Sequence, residues 1–301
     1  GVRGGSATVH FPIWHQEIED ILVLKNNKGS EDNRVRKLDY SIQISKLFYE
    51  RFLKNEDISL FSPHQVPGLY EAFGTEKFDE LYEKYERAYS IPKEKINAQQ
   101  LFMTLLKERA ETGRIYIMNI DHCNSHSSFW EDQAKISMSN LCQEITLPTT
   151  PLTSQRDEEG EIALCILSAI NVGQMTNDLK ELPELCDLTV RALDEVIDYQ
   201  NYPIKAAELS TKRRRSLGIG YIGLAHFLAK NKVKYNDEEA FKLVHRLTEH
   251  FQYNLLATSV QLAKEKGSCD GWCETKYHLG LLPIDHYKKE VDEIVKPEYE
   301  C

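Results

Sequence analysis

No stretch of the sequence approaches the ~18 consecutive apolar residues that a membrane-spanning helix needs, so no such helix is expected. Basic charge is also short: 37 Lys and Arg stand against 47 Asp and Glu, a net charge of −10. That deficit argues against a generic nucleic-acid binder, which carries a basic face. Fifteen glycines and ten prolines in 301 residues are too few for a collagen or a disordered linker protein. The opening GVRGGSATV lacks the basic-then-apolar order of a secretory signal. It also lacks an initiator Met, and the chain stops abruptly at Cys301, so the expectation is a piece of a longer polypeptide. What is present, 41% hydrophobic and 28% charged residues, is the composition of a compact chain long enough for a large core.

Seven cysteines, at positions 123, 142, 165, 186, 269, 273 and 301, are scattered and odd in number. They read as reduced thiols in a cytoplasm, mostly buried fillers with a few available for chemistry. Patterning predicts a strand over 6–14, a helix over 15–26, a helical stretch over 39–53 and a short strand over 58–63. Helices are predicted over 78–89 and 98–112, the latter ended by Gly113. RIYIMNI at 114–120 reads as a strand. Residues 121–160 read as a long ordered loop, a length that is usually functional inside a compact domain. The apolar run 162–172 reads as a buried parallel strand, followed by a helix over 179–199, a strand over 216–222 and a long helix over 237–267. Strands alternating with helices predict a mainly parallel α/β fold.

The chemically informative segment is SNLCQEI, residues 139–145. In an extended chain Asn140, Cys142 and Glu144 share one side, whereas a helix would rotate the middle residue away by roughly 200°. TLPTTP downstream disfavours a helix, so a carboxamide, a thiol and a carboxylate are expected to converge. A carboxylate beside a thiol disfavours the thiolate, and the triplet holds no histidine to take the proton. A neutral thiol suits hydrogen-atom chemistry, with Glu144 free to handle a substrate hydroxyl. The plainer alternative is a loop whose buried cysteine and two polar groups serve the backbone. On the strand that follows, Ala163, Cys165, Leu167 and Ala169 share a face with room for something to approach; the plainer alternative there is a small core side chain.

GVRGGSAT, LVLKNN, NRVRKLDYSIQISK, LFSPHQVPGLYEAF, TGRIYIMNIDHCNSH, SNLCQEITLPT, GEIALCILSAINVG and LGIGYIGLAHFLAK occur in collinear order. Together they resemble the large, catalytic subunit of class I ribonucleotide reductase, closest to forms in bacteria and T4-like phages, over essentially the whole chain. The resemblance implies part of a ten-stranded α/β barrel with an inserted finger loop, here about 121–160, the whole of 1–301 being one partial barrel domain. It implies the radical reduction of ribonucleoside diphosphates to 2′-deoxyribonucleotides for DNA synthesis. Cys142 matches the finger-loop cysteine that becomes a thiyl radical, Glu144 the carboxylate that takes the 3′-hydroxyl proton, and Asn140 the amide that holds the sugar hydroxyls. The stretch Asn140, Leu141, Cys142, Gln143 and Glu144 would line the substrate site. Cys165 matches one member of the redox-active pair, and Arg3, in the loop that relays effector identity, is a candidate contact for the substrate base.

The resemblance also implies what surrounds the chain. No cofactor or metal is expected to bind to it; the radical comes from a metal-containing small subunit, and ATP and dNTP effectors act on the full-length enzyme. Expected partners are that small subunit, the missing parts of the large subunit, a thioredoxin or glutaredoxin reductant and a second large subunit. No nucleic acid or membrane is expected, and the location implied is the cytoplasm, of the host if phage-encoded. The partner of Cys165 lies upstream of Gly1, and the ATP cone, most of the specificity site, the paired tyrosines of the radical path and the cysteine tail are absent. Alone, the chain is expected to be inactive.

GIGYIG at 218–223 fits GxGxxG and would make the chain an NAD(P)-dependent oxidoreductase, but that reading needs an apolar strand running into the first glycine, and TKRRR at 211–215 stands there. Close packing of a strand and helix is the competing use of those glycines. His122, Cys123 and His126 lack a fourth ligand, Cys269 and Cys273 lack a second pair, and Lys212–Arg215 reads as a solvated loop rather than a phosphate or RNA site. A non-catalytic helical scaffold built on Glu/Lys-rich helices is the non-enzyme alternative.

Overall fold

The computed structural model describes residues 4–175, 179–283 and 285–286. Arg3 and Cys301 therefore lie outside the described residues. Two compact units are formed, one from 1–149 with 274–301 and the other from 150–273.

In the first unit three short strands, β1 (Thr8–Pro12), β2 (Asp39–Ile44) and β5 (Ile115–Asn119), form a parallel sheet in the order β1-β2-β5. Ile42 and Ile44 of β2 and Ile115 of β5 pack into a core with α1 (Ile18–Leu22), α2 (Lys46–Lys54), α5 (Ala98–Thr112) and the antiparallel pair β3 (Asp57–Leu60) and β4 (Glu94–Asn97). Phe48, Leu101 and Leu105 supply the helix side of that core. A second cluster gathers Trp14, Phe61, Phe73, Phe78 and Met118, using α3 (Leu69–Ala72) and α4 (Phe78–Arg87). Burying side chains of this size contributes about 1.5–3 kcal/mol each. A short helix, α6 (Ile120–Ser125), follows β5 directly.

Several boundaries differ from expectation. The stretch 39–53 is a strand and then a helix. Tyr40, Ile42 and Ile44 alternate with Asp39, Ser41 and Gln43, the period of a strand, and the Ser45 hydroxyl accepts from Phe48 N to start α2. The helix expected over 15–26 shrinks to five residues. Residues 121–125 are helical rather than loop, because Ile120 and Asn124 are buried and Asn124 Nδ2 donates to the Ile120 and Ile136 carbonyls. Strand β4 was missed. Helix α5 matches its expected span, and Gly113 ends it at φ 64°.

In the second unit β6 (Leu167–Asn171) and β7 (Gly218–Ile222) pair in parallel. One face carries Ile170 into a core with α7 (Leu182–Tyr199), α9 (Leu224–Lys230) and α10 (Glu238–Lys266), closed by Cys186, Phe227, Leu247 and Phe251. Burial pushes the Cys186 thiol up to about 11, so this cysteine is an inert core side chain. Helix α8 (Lys205–Arg214) and α9 were not foreseen. The basic run 212–215 is the end of α8 and its cap, not a solvated loop: Arg213 and Arg214 both pair with Glu161, and Arg215 pairs with Asp194 and Asp198. Among the described residues the sheets are parallel apart from β3-β4, none closes on itself, and the α/β class holds as expected for part of a barrel.

Candidate functional site

The parallel sheet of the first unit has one apolar face and one polar face. Registered neighbours in a sheet project to the same side, so Thr8 and His10 of β1 stand beside Asp39 and Ser41 of β2, and Gln43 stands beside Met118 of β5. Ser41 and Gln43 are fully buried. Their cover is the segment 137–145, gripped by its backbone carbonyls. Gln43 Nε2 donates to Ser137 O at 2.7 Å, Thr8 Oγ1 donates to Leu141 O at 2.7 Å, and His10 Nε2 lies 3.2 Å from Ser139 O. A carbonyl only accepts, so Nε2 of His10 carries the proton. In return Gln143 Nε2 donates to Ile117 O of β5 at 2.8 Å. This polar row was not found from the sequence, although the alternation in DYSIQI was its signal.

The segment is not extended, which corrects the geometry expected of it. Gln143 N donates to Asn140 O at 3.1 Å, closing a turn, and Gln143 itself has φ 61°. The Asn140 carboxamide oxygen accepts from Ser139 Oγ and Ile145 N, competing with regular backbone pairing as short polar side chains do. A left-handed glutamine costs about 1–3 kcal/mol and persists only where its surroundings fix it. Cys142 and Glu144 are both exposed, while Gln143 and Ile145 are half-buried. The thiol and carboxylate thus lie exposed on either side of Gln143, not on one side of an extended chain, and Asn140 Oδ1 is turned into the loop. Of the plainer reading, the buried cysteine does not hold, since Cys142 is exposed, while Asn140 does serve the backbone through Ile145 N.

Burial holds the His10 imidazole below its ordinary value, opposed by its bond to the Ser139 carbonyl. At the end of β5, burial raises the Asp121 carboxyl although Lys46 N donates to it, and burial, with Asp121 next, raises the Cys123 thiol. His122 and His126 stack edge to face at 5.2 Å on α6. Among the described residues no three His, Cys, Asp or Glu side chains are placed to hold a metal ion.

Cys165 lies in the second unit, two residues before β6, and is exposed. The expected buried strand over 162–172 is only five residues long and half covered. Leu167 and Ala169 share an open face of the strand while Ile166 and Ile170 are buried, and Ala163 and Cys165 lie before the strand, so the expected four-residue strand face is not formed and Cys165 is not a core side chain. Across from it, β7 runs through Gly218 and Gly220 instead of ending at the first glycine, which is not the phosphate-binding turn. Gly223 packs against the backbone of Gly173, so a strand-to-helix contact uses it.

A parallel α/β fold that seats a loop on a polar sheet face and turns a thiol and a carboxylate outward defines a thiol-bearing α/β domain. Residues 1–299 match the family model described as ribonucleotide reductase, barrel domain, and the chain belongs to that family. It is 58% identical over 296 residues to the ribonucleoside-diphosphate reductase subunit alpha of Buchnera aphidicola subsp. Schizaphis graminum, covering 98% of this chain and 39% of that one. It is 55% identical to ribonucleoside-diphosphate reductase 1 subunit alpha of Escherichia coli K12, with the same coverage. The subunit alpha of Enterobacteria phage T4 is 45% identical, covering all of this chain and 40% of its own. The chain thus spans about two fifths of the length of these curated relatives. Among the described residues no helix is long and apolar enough to cross a membrane.

Proposed function

We propose that this chain is the central part of the catalytic subunit of a ribonucleoside-diphosphate reductase. The observation that carries the reading is the outward-facing pair of Cys142 and Glu144 on a turn seated on the sheet, in a chain of this family. As a thiyl, Cys142 takes the 3′ hydrogen atom of a ribonucleoside diphosphate, forming its S–H bond as the C–H bond breaks. Glu144 takes the 3′-hydroxyl proton, and Asn140 shapes the turn beside the sugar. Cys165 and a thiol outside this sequence supply two electrons and become a disulfide as the 2′-hydroxyl leaves as water. Cys142 then returns its hydrogen to the 3′ carbon. The backbone of Leu141 and Gln143 completes the lining, and Arg3 contacts the base.

The radical is supplied by a metal-containing small subunit, and the chain's own part is orientation and thiols. ATP and dNTP effectors act through portions outside this sequence. Thioredoxin or glutaredoxin reduces the disulfide, a second large subunit completes a homodimer, and the setting is the cytoplasm. The test is CDP reduction by the chain combined with the remaining portions of the subunit, joined or separate, and a matching radical subunit. Turnover that is lost in Cys142→Ala, with the fold intact by circular dichroism, supports the reading. Turnover retained by Cys142→Ala would sink it, and a helical scaffold would be indifferent to the change.

A further inference from the structure

Of the four hydrogen bonds described between the sheet and segment 137–145, three run upward from sheet side chains to loop carbonyls. The fourth runs the other way and starts next to the thiol. Gln143 holds a left-handed backbone, closes the turn through its N–H to Asn140 O, and sends its amide down to Ile117 O. Its Oε1 is buried without a hydrogen-bond partner, so the side chain is held at its N–H end alone. On either side Cys142 and Glu144 stand exposed. The direction in which Cys142 leaves the turn is therefore set by the residue that follows it.

We infer that Gln143 is a positioning residue, a tether that fixes the Cys142 thiol above the sheet; its part in catalysis rests on the reductase reading. Three features support the assignment over a passive contact. The backbone conformation is one that glycine or asparagine adopts more readily than glutamine, so this side chain is not there to suit the turn. The tether reaches a main-chain carbonyl of β5, a strand held in the sheet by its pairing with β2, which side-chain motion does not displace. It also lies one residue from the thiol, so its loss moves Cys142 before it moves the rest of the loop.

Two substitutions separate the tether from the turn. Gln143→Asn suits the left-handed backbone but is one methylene too short to reach Ile117 O. Gln143→Met keeps the length and places no charge beside the thiol, but has no N–H to donate. Each is placed in the complete assembly with the remaining portions and the radical subunit, and kcat and KM for CDP are measured. In parallel, the rate of Cys142 alkylation by iodoacetamide is followed by peptide mass spectrometry, with exposed Cys273 as internal reference.

The expected result is a kcat lowered roughly tenfold to a hundredfold, the cost of misplacing a reacting atom by about an ångström, with KM unchanged and faster labelling of Cys142 in both variants. Wild-type kcat and wild-type labelling in either variant would overturn the assignment. So would kcat and KM changing together with no change in labelling, which marks a general loss of the loop. Absence of turnover in every form, wild type included, together with faster labelling in both variants, supports the tether and sinks the reductase reading instead.

Discussion

His10 shows how much a single side chain can decide at this site. Its Nε2 donates to the Ser139 carbonyl, and its Nδ1 is buried with no partner. Protonation would place a second N–H and a charge in that buried space, which is why the imidazole is held below its ordinary value. A histidine depressed in this way contributes stability that is complete above the unfolded value of about 6.5. That contribution drains away as pH falls from there through the folded value, because the unfolded chain binds the proton first. The wild-type melting temperature is therefore expected to fall more between pH 7.5 and 5.5 than that of His10→Gln, which cannot titrate. Differential scanning calorimetry of both proteins across that range checks it, and equal slopes would remove His10 from the account.

At the scale of elements, the second unit depends on where its glycines sit. Gly223 has φ 79°, and a Cβ there would come within 2.6 Å of Asn171 Oδ1 and 3.0 Å of Gly173 N. Gly220, in the middle of β7, has nothing within 4 Å. Gly223→Ala is expected to destabilise the protein by about 1–3 kcal/mol through backbone strain, while Gly220→Ala stays near neutral. Urea unfolding of the pair measures the contrast, and a neutral Gly223→Ala would contradict the packing described. The GxGxxG pattern was legible as punctuation, and its lack of an apolar lead-in strand was legible too, but not that α8 precedes it. That helix is fixed by Arg214 against Glu161, both nearly fully buried, and such a pairing across more than fifty residues leaves no local trace. Helix α5 was legible to the residue because Asn97 caps its start and Gly113 its end, both local signals. Strand β2 was not: its polar residues face a buried surface, so DYSIQI and the helix after it merged into one apparent helical period. The same concealment applied to the site. Cys142 and Glu144 were found from spacing and resemblance, but the row of Thr8, His10 and Gln43 that seats their loop is assembled only by strand pairing.

At the scale of the molecule, the two thiols to which the proposed chemistry gives unlike roles lie in two different units. Cys142 sits on the tethered loop of the first unit, and Cys165 sits two residues before β6 in the second. In the proposed chemistry the first opens and closes each cycle by moving a hydrogen atom, while the second only supplies electrons in the middle. Removing them should therefore fail at different steps. With 3′-deuterated CDP in the complete assembly, Cys142→Ala is expected to leave the label in place and form no product, because nothing breaks the 3′ C–H bond. Cys165→Ser is expected to abolish steady-state deoxynucleotide formation while still allowing 3′ label to be lost, since radical entry does not need the redox pair. Sustained turnover by Cys165→Ser with reductant present would assign the reducing thiols elsewhere. Label retained by both variants would mean that the exposed Cys165 is required before the hydrogen moves, making its role one of substrate placement rather than electron supply.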